Sequence, residues 1–72
     1  MPVIDKTRLR AARERAGYSR EYAALCLGKT CRTIEAYERG TAVPPGNVLV
    51  ALAALYSVKV EALCRDEMAG AW

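Results

Sequence analysis

Four side chains near the middle of the chain have the types and spacing of a surface that binds an outside partner. Cys31 and Arg32 stand side by side, and Glu35 and Ala36 follow one helical turn later. In a helix, residues three or four apart are neighbours, so these four side chains would share one face. A projecting helix that carries such a face beside basic residues suits insertion into a groove of DNA.

The helices that would position this face are predicted between Ser19 and Gly40. Ser19 and Thr30 offer hydroxyls to the free N–H groups of the turn that follows each of them. Gly28 and Gly40 stand where a left-handed residue usually ends a helix. Apolar residues recur at helical spacing between these caps: Ala23, Ala24, Leu27, Ile34 and Tyr37. Because only about four residues separate the two helices, they must cross steeply, which leaves one face of the second helix free.

Three further helices are predicted around this pair. One spans about residues 6–16 behind an Asp5 cap, with Leu9, Ala12, Arg13 and Ala16 on one face. Another begins at residue 46 or 47 after a proline-containing loop and runs to residue 56, and the last spans about 60–68. No stretch shows the alternation of a strand. The sequence therefore predicts an all-α, five-helix fold in a single domain of residues 1–72, with a core at 5–68 and a C-terminal tail at 69–72.

Positive charge is concentrated in the half of the chain that contains the helix pair. Nine Lys and Arg stand against five Asp and Glu up to Gly40, whereas the remainder has two against three, and the net charge is +3. This asymmetry favours a polyanionic partner for the first half. A solvated, charge-rich helical surface has the same composition, so charge alone leaves both interpretations open.

The cysteines and the missing histidine argue against several kinds of site. Three cysteines without a C-x-x-C spacing, and no histidine, disfavour a zinc site and a disulfide framework. We expect reduced thiols, with Cys26 and Cys64 packed as small apolar groups. No enzyme activity, cofactor, metal or small-molecule ligand is expected, because no glycine-rich phosphate loop and no base for Cys31 are present. Cys31 stands near Lys29 and Arg32 at a helix start, so a lowered thiol pKa and a redox-sensitive role stay open.

The ends and the apolar runs of the chain predict a cytoplasmic protein. The N-terminus turns charged at once, unlike a secretory leader. The longest apolar run, residues 48–56, is too short to cross a bilayer, so no membrane partner is expected.

The order and spacing of these motifs resemble the phage repressor and Cro type of helix-turn-helix domain, the XRE-like family. The family pattern, roughly T-Q-x-x-L-A-x-x-L-G-x-S-x-x-x-I-s-x-[WLIY]-E-x-G, is matched without a gap by SREYAALCLGKTCRTIEAYERG. The later stretch VALAALYSVKVEALC resembles the family's L-x-x-L-A-x-x-L-x-V-x-x-x-x-L ending, so the similarity covers about residues 7–64. The resemblance implies a lambda-repressor-like fold and a sequence-selective transcriptional regulator of double-stranded DNA, similar to a small Cro-like repressor.

The resemblance implies that a recognition helix at about residues 31–38 enters the major groove. Its base contacts would come from Cys31, Arg32, Glu35 and Ala36. Arg32 is the best reader, since its guanidinium can bridge O6 and N7 of a guanine, and Glu35 can accept from a cytosine amino group. Arg32 can also be a solvated surface arginine, and a glutamate such as Glu35 is more often exposed, where it repels wrong sites or braces an arginine. Cys31 and Ala36 replace long polar side chains, so either Arg32 carries most of the specificity or DNA shape does.

The resemblance also implies residues that hold this helix and the DNA backbone. Arg13 and Glu38 match a pair that links the first and third helices, and a partly buried carboxylate needs such a partner. Arg20 replaces the family's usual glutamine, which adds a charge but removes an amide that can brace the recognition helix. Phosphate contacts are expected from seven residues, namely Ser19, Arg20, Lys29, Thr30, Thr33, Arg39 and Thr41.

The second half of the chain is unusually apolar, with no charged residue from Thr41 to Val58. A helix with one buried face normally shows polar residues on the other, and an exposed apolar stripe usually marks an interface. We therefore expect a homodimer, which would also set two recognition helices about 34 Å apart. Its expected interface comprises Val48, Val50, Leu55, Met68 and Trp72. The alternatives are a monomer with some exposed apolar side chains, and a protein-interaction module that docks a partner through helices four and five.

Overall fold

The computed structural model describes residues 2–66, and this part of the chain is mostly helical. Its elements in order are β1 (Pro2–Ile4), α1 (Lys6–Ala16), α2 (Arg20–Leu27), α3 (Cys31–Arg39), α4 (Gly46–Leu55), a 3₁₀ helix (Val60–Leu63) and β2 (Cys64–Asp66). The four α-helices occupy the stretches that the sequence predicts. Most of their ends lie within one residue of the predicted ends.

Side-chain caps set the starts of the first three helices. The Asp5 carboxylate accepts from the backbone N–H groups of Thr7 and Arg8. Ser19 and Thr30 accept from the N–H groups three residues ahead, at 3.0 and 3.2 Å. The predicted caps of α1, α2 and α3 are therefore confirmed, and each supplies a partner to an N–H group that the helix itself leaves unpaired.

The core is built by one large aliphatic side chain from each of four helical elements. Leu9 of α1, Ile34 of α3, Leu52 of α4 and Leu63 of the 3₁₀ helix are each 1% exposed or less. The remaining buried apolar residues are Ala23, Ala24, Tyr37, Val48, Ala53 and Tyr56. Burial of each large side chain contributes about 1.5–3 kcal/mol. The small alanines of α2 leave room for α2 to pack closely against α3 and α4.

The end of the described chain differs from the prediction of a fifth α-helix at about 60–68. After one turn of 3₁₀ helix, Cys64–Asp66 pairs antiparallel with Pro2–Ile4, with Ile4 opposite Cys64 and Val3 opposite Arg65. The backbone N–H of Asp5 also donates to the Leu63 carbonyl at 2.9 Å. The expectations of five helices and of no strand are therefore wrong. A strand whose partner lies some sixty residues away has no local signal in the sequence.

Helix α4 turns Val48 inward, so its predicted place in a dimer interface is wrong. Val48 is 7% exposed and shares the buried face with Leu52, four residues later, because that spacing returns to the same side of a helix. Val50 is 59% exposed, and Leu55 is half-buried against the core. Met68 and Trp72 lie outside the described residues.

The cysteines are all unpaired thiols, but they do not pack as expected. Cys26 is exposed on the outer side of α2, so the prediction that it fills the core is wrong. Cys64 is half-buried on β2, and Cys31 is half-buried at the start of α3. In α2 the two alanines, rather than the cysteine, take the buried positions.

No helix within residues 2–66 has both the length and the apolar character that a membrane crossing requires.

Candidate nucleic-acid interface

Helix α3 is anchored on one side and open on the other. Ile34 and Tyr37 are buried at 1% and 7% exposure, and the spacing between them fixes which face of α3 meets the core. On the opposite side Arg32 is exposed, while Glu35 and Ala36 are half-buried. The predicted base-contact residues thus lie along the part of α3 that the core leaves uncovered.

Arg32 is a free cation within the described chain. It is exposed and has no hydrogen bond or ion pair to any residue between 2 and 66. Lys29, in the turn before α3, is exposed and unpaired within the same residues. Both side chains can therefore bind an anion or a base edge without first breaking a contact inside the protein.

Cys31 is hydrogen-bonded to Glu21, a residue that the sequence analysis did not select. Its thiol donates to the Glu21 carboxylate, with sulfur and oxygen 3.4 Å apart. Partial removal from water, this hydrogen bond and the charge of Glu35 together raise the pKa of Cys31. The hypothesis of a lowered thiol pKa is therefore wrong. Glu21 and Cys31 are ten residues apart, so only the crossing of α2 over α3 reveals the contact.

Glu35 and Arg39 are paired with each other across one turn of α3. Arg39 Nη2 lies 3.5 Å from Glu35 Oε1, and the two side chains are 70% and 40% exposed. An exposed pair of this kind contributes at most about 1 kcal/mol, because water and salt screen it. It can therefore open when either residue meets DNA.

Glu38 lies in the interior between two arginines. Its side chain is only 3% exposed, and both of its oxygens accept from Arg13, at 2.7 Å from Nε and 3.2 Å from Nη2. Arg13 also donates to the Tyr18 carbonyl at 2.7 Å, so this guanidinium joins α1 to the start of the helix pair. The hydrogen bond to Glu38 raises the pKa of Arg13, against the opposing effect of burial. The Arg13–Glu38 pair is present, and it is structural.

Arg20 is the second arginine that contacts Glu38, and this contact contradicts one expectation from the sequence. Its Nε donates to Glu38 Oε1 at 3.2 Å, and its side chain is 35% exposed. The inference that an arginine here loses the brace to the recognition helix is wrong, because Arg20 binds α3 through Glu38. The sequence alone missed this contact because both guanidiniums reach the same carboxylate from different helices.

The other predicted phosphate ligands lie at the ends of α2 and α3. Ser19 begins α2, Thr30 and Thr33 share a hydroxyl contact of 3.0 Å at the start of α3, and Thr41 donates to the Ala36 carbonyl at 3.3 Å just past its end. Hydroxyls and the backbone N–H groups of helix starts are common phosphate ligands in protein–DNA complexes, so these residues stay predicted phosphate contacts.

Lys6 is a further residue at the end of α3 that the sequence analysis did not select. Its ammonium donates to the carbonyl of Arg39, the last residue of α3, at 3.3 Å. Its aliphatic stem lies over Gly40, where an added Cβ would come within 2.9 Å of Lys6 Cδ. Gly40 also has a φ of +83°, so the close approach and the left-handed backbone both favour glycine. Lys6 thereby ties the end of α3 to α1.

Comparison with known proteins gives one family match. A family model described as a helix-turn-helix domain matches residues 7–65, which contain α2, α3, α4 and all of α1 except its first residue. None of the curated proteins gives a significant match to the chain.

Proposed function

Since the chain belongs to the helix-turn-helix domain family, a DNA-binding family of the XRE-like group, we propose that it is a sequence-selective regulator of transcription. The single observation that carries the proposal is the exposed, unpaired guanidinium of Arg32 on an α3 that Ile34 and Tyr37 hold against the core. A rigid helix with a free cation on its outer face is suited to major-groove readout.

In this mechanism α3 enters the major groove and Arg32 reads a guanine through O6 and N7. Glu35, released from Arg39, accepts from a cytosine amino group, while the shorter Cys31 and Ala36 allow close approach to the bases. Ser19, Arg20, Lys29, Thr30, Thr33, Arg39 and Thr41 are the proposed phosphate ligands, and they set the register of α3 on the duplex.

Regulation in this proposal follows from occupancy of an operator, as in a small Cro-like repressor that acts in the cytoplasm. The protein would bind as a homodimer through the outer face of α4, where Val50 is 59% exposed and Leu55 is half-buried. Two-fold symmetry would then match two half-sites one helical turn apart. The main-chain N–H groups at the starts of α2 and α3 would bind the DNA backbone at each half-site.

A protein-interaction module on the same fold is the second candidate. It is favoured by large apolar side chains that stay in contact with water, among them Leu25 at 78% and Tyr22 at 46% exposure on α2, and Val50 at 59% on α4. Such side chains are common at docking surfaces. Duplex binding with a steep dependence on salt would favour the DNA regulator, and its absence would favour the module.

Selection from a random duplex pool, followed by sequencing of the bound fraction, tests the main proposal. We expect an enriched, two-fold symmetric consensus that contains a guanine in each half-site. Recovery of a random population, together with a flat salt dependence, would contradict a sequence-selective regulator.

The matched variant for this experiment is Arg32→Ala. We expect it to reduce discrimination at one base pair by about 1–3 kcal/mol, with an unchanged urea midpoint, because Arg32 has no hydrogen bond or ion pair within the described chain. The control is Arg15→Ala on α1, another arginine without a partner among residues 2–66, which borders a shallow groove with Val58 and Ala62. If both variants select the wild-type consensus, Arg32 does not read a base.

A further inference from the structure

We propose that Glu38 is a positioning residue that orients Arg20 to bind a phosphate of the DNA backbone, an inference that rests on the proposed function. The structure places three charged groups in one chain of contacts, from Arg13 through Glu38 to Arg20. Each belongs to a different helix, so the carboxylate joins α1, α2 and α3 at one point.

The charges of this network do not balance. Arg13 already compensates Glu38, since it contacts both carboxylate oxygens, at 2.7 and 3.2 Å. Arg20 adds a second positive charge to one negative charge. Because its side chain is 35% exposed while that of Glu38 is 3% exposed, the excess charge lies on the solvent side of the network.

The geometry of the guanidinium separates its two roles. Arg20 uses Nε to bind Glu38 at 3.2 Å, and its two terminal amino groups have no partner within residues 2–66. A guanidinium is planar, so a bond at Nε fixes the direction of the remaining N–H groups. These groups form the fork that binds phosphate in two parallel hydrogen bonds.

The position of Arg20 is on the side of the molecule proposed to meet DNA. Arg20 is the first residue of α2 and precedes Glu21, whose carboxylate accepts a hydrogen bond from the Cys31 thiol at the start of α3. Arg20 therefore connects the interior of the domain to the edge of the exposed face of α3. A backbone phosphate at this edge would compensate the excess charge without disturbing the Arg13–Glu38 pair.

The variant Arg20→Gln distinguishes an Arg20 that binds a phosphate from an Arg20 that only braces α3 through Glu38. A glutamine amide can still donate to Glu38, but it carries no charge for a phosphate. With a mixed-sequence duplex, we expect the slope of log affinity against log salt to become shallower by about 0.9, which reduces the affinity ratio between 50 and 200 mM salt by about 3.5-fold. The thermal midpoint should stay near that of the wild type, and Arg15→Ala serves as the charge-matched control.

A double-variant cycle tests the part played by Glu38. Glu38→Gln should weaken duplex binding in the wild-type background and cause no further loss in the Arg20→Gln background, with every affinity corrected for the folded fraction. Equal losses in both backgrounds would overturn the positioning role. If Glu38→Gln does not fold, Glu38→Asp takes its place in the same cycle, because it keeps the charge for Arg13 and shortens the reach of the carboxylate to Arg20.

The two proposals fail in different ways. A wild-type protein that does not bind duplex DNA at low salt would contradict the proposed function itself. A wild-type protein that binds with a steep salt dependence, which Arg20→Gln does not alter, would overturn only the role of Arg20 and Glu38.

Discussion

A single carboxylate has an unusual share of the contacts that connect the helices. Glu38 is 3% exposed, and it accepts from Arg13 and Arg20 of two other helices. Burial of a charge is costly unless the charge is paired and its lone pairs are satisfied, and both conditions hold here. The chain therefore tolerates a charged residue next to Tyr37 in its core because two arginines reach it.

Removal of this carboxylate should be severely destabilising. We expect Glu38→Ala to lower the free energy of unfolding by about 3–5 kcal/mol, because Arg13 would be left as an uncompensated buried charge. Urea denaturation followed by circular dichroism measures the change. The control is Glu14→Ala, which removes the exposed pair with Arg10 and should cost about 0.5 kcal/mol or less. Equal losses in the two variants would contradict a structural role for Glu38.

Tyr56 carries a buried hydroxyl with no hydrogen-bond partner among residues 2–66. Its side chain is 4% exposed, and burial, with a smaller contribution from the Glu38 charge, raises its pKa to about 12. At neutral pH we expect Tyr56→Phe to raise the free energy of unfolding by up to about 1 kcal/mol, since it removes an unsatisfied polar group. Thermal denaturation checks this, with Tyr22→Phe as an exposed control.

The same residue predicts a loss of stability in alkali. Between about pH 10 and 12 the folded protein keeps the Tyr56 proton while the unfolded chain releases it, so rising pH favours unfolding. The stabilisation is complete below pH 10 and lost as the pH passes about 12. Urea midpoints across this range should fall less steeply in Tyr56→Phe, and parallel curves for the two proteins would contradict the shift.

At the scale of the elements, helix ends decide the local geometry. A glycine with positive φ caps the C-terminus of α1, α2 and α3, whereas Tyr56 caps α4 and is followed by Ser57, with a φ of 57°. The N–H groups of Ser57 and Val58 donate back to the Ala54 and Ala53 carbonyls, a closure that needs a left-handed residue. Serine adopts this conformation at a cost that glycine avoids.

Ser57→Gly should therefore stabilise the domain. We expect the free energy of unfolding to rise by about 0.5–1 kcal/mol, after allowance for the greater flexibility of glycine in the unfolded chain. The matched reverse substitution is Gly28→Ser at the end of α2. There φ is 66° and a side chain has open space, so the left-handed backbone conformation is the only cost of the serine. Urea unfolding of both variants should give shifts of opposite sign.

At the scale of the whole molecule, the outer side of α4 is the proposed meeting surface of two protomers. Val50→Asp should convert a dimer to a 7.9 kDa species in sedimentation at micromolar concentration, because it places a charge in an apolar contact. The control is Val43→Asp in the loop before α4, which is 73% exposed in this structure and lies outside the proposed interface. A wild-type protein that sediments at 7.9 kDa would contradict the dimer.

Local signals in the sequence are sufficient to predict the helix pair and the buried face of α3. Asp5, Ser19 and Thr30 mark helix starts, and the spacing of Ile34 and Tyr37 defines which face of α3 is buried. These signals are readable because caps and helical periodicity act within a few residues of one another. For the same reason the outward position of Arg32 is predictable from the sequence.

The features that join distant parts of the chain depend on tertiary packing. The pairing of β1 with β2, the burial of Val48, the bond from Cys31 to Glu21 and the reach of Arg20 to Glu38 all depend on where helices cross. A stretch such as 60–66 carries apolar residues that suit a helix or a strand, and the choice depends on a partner at the other end of the chain. Contacts of this kind have no local signal, because their energy comes from neighbours that the fold alone brings together.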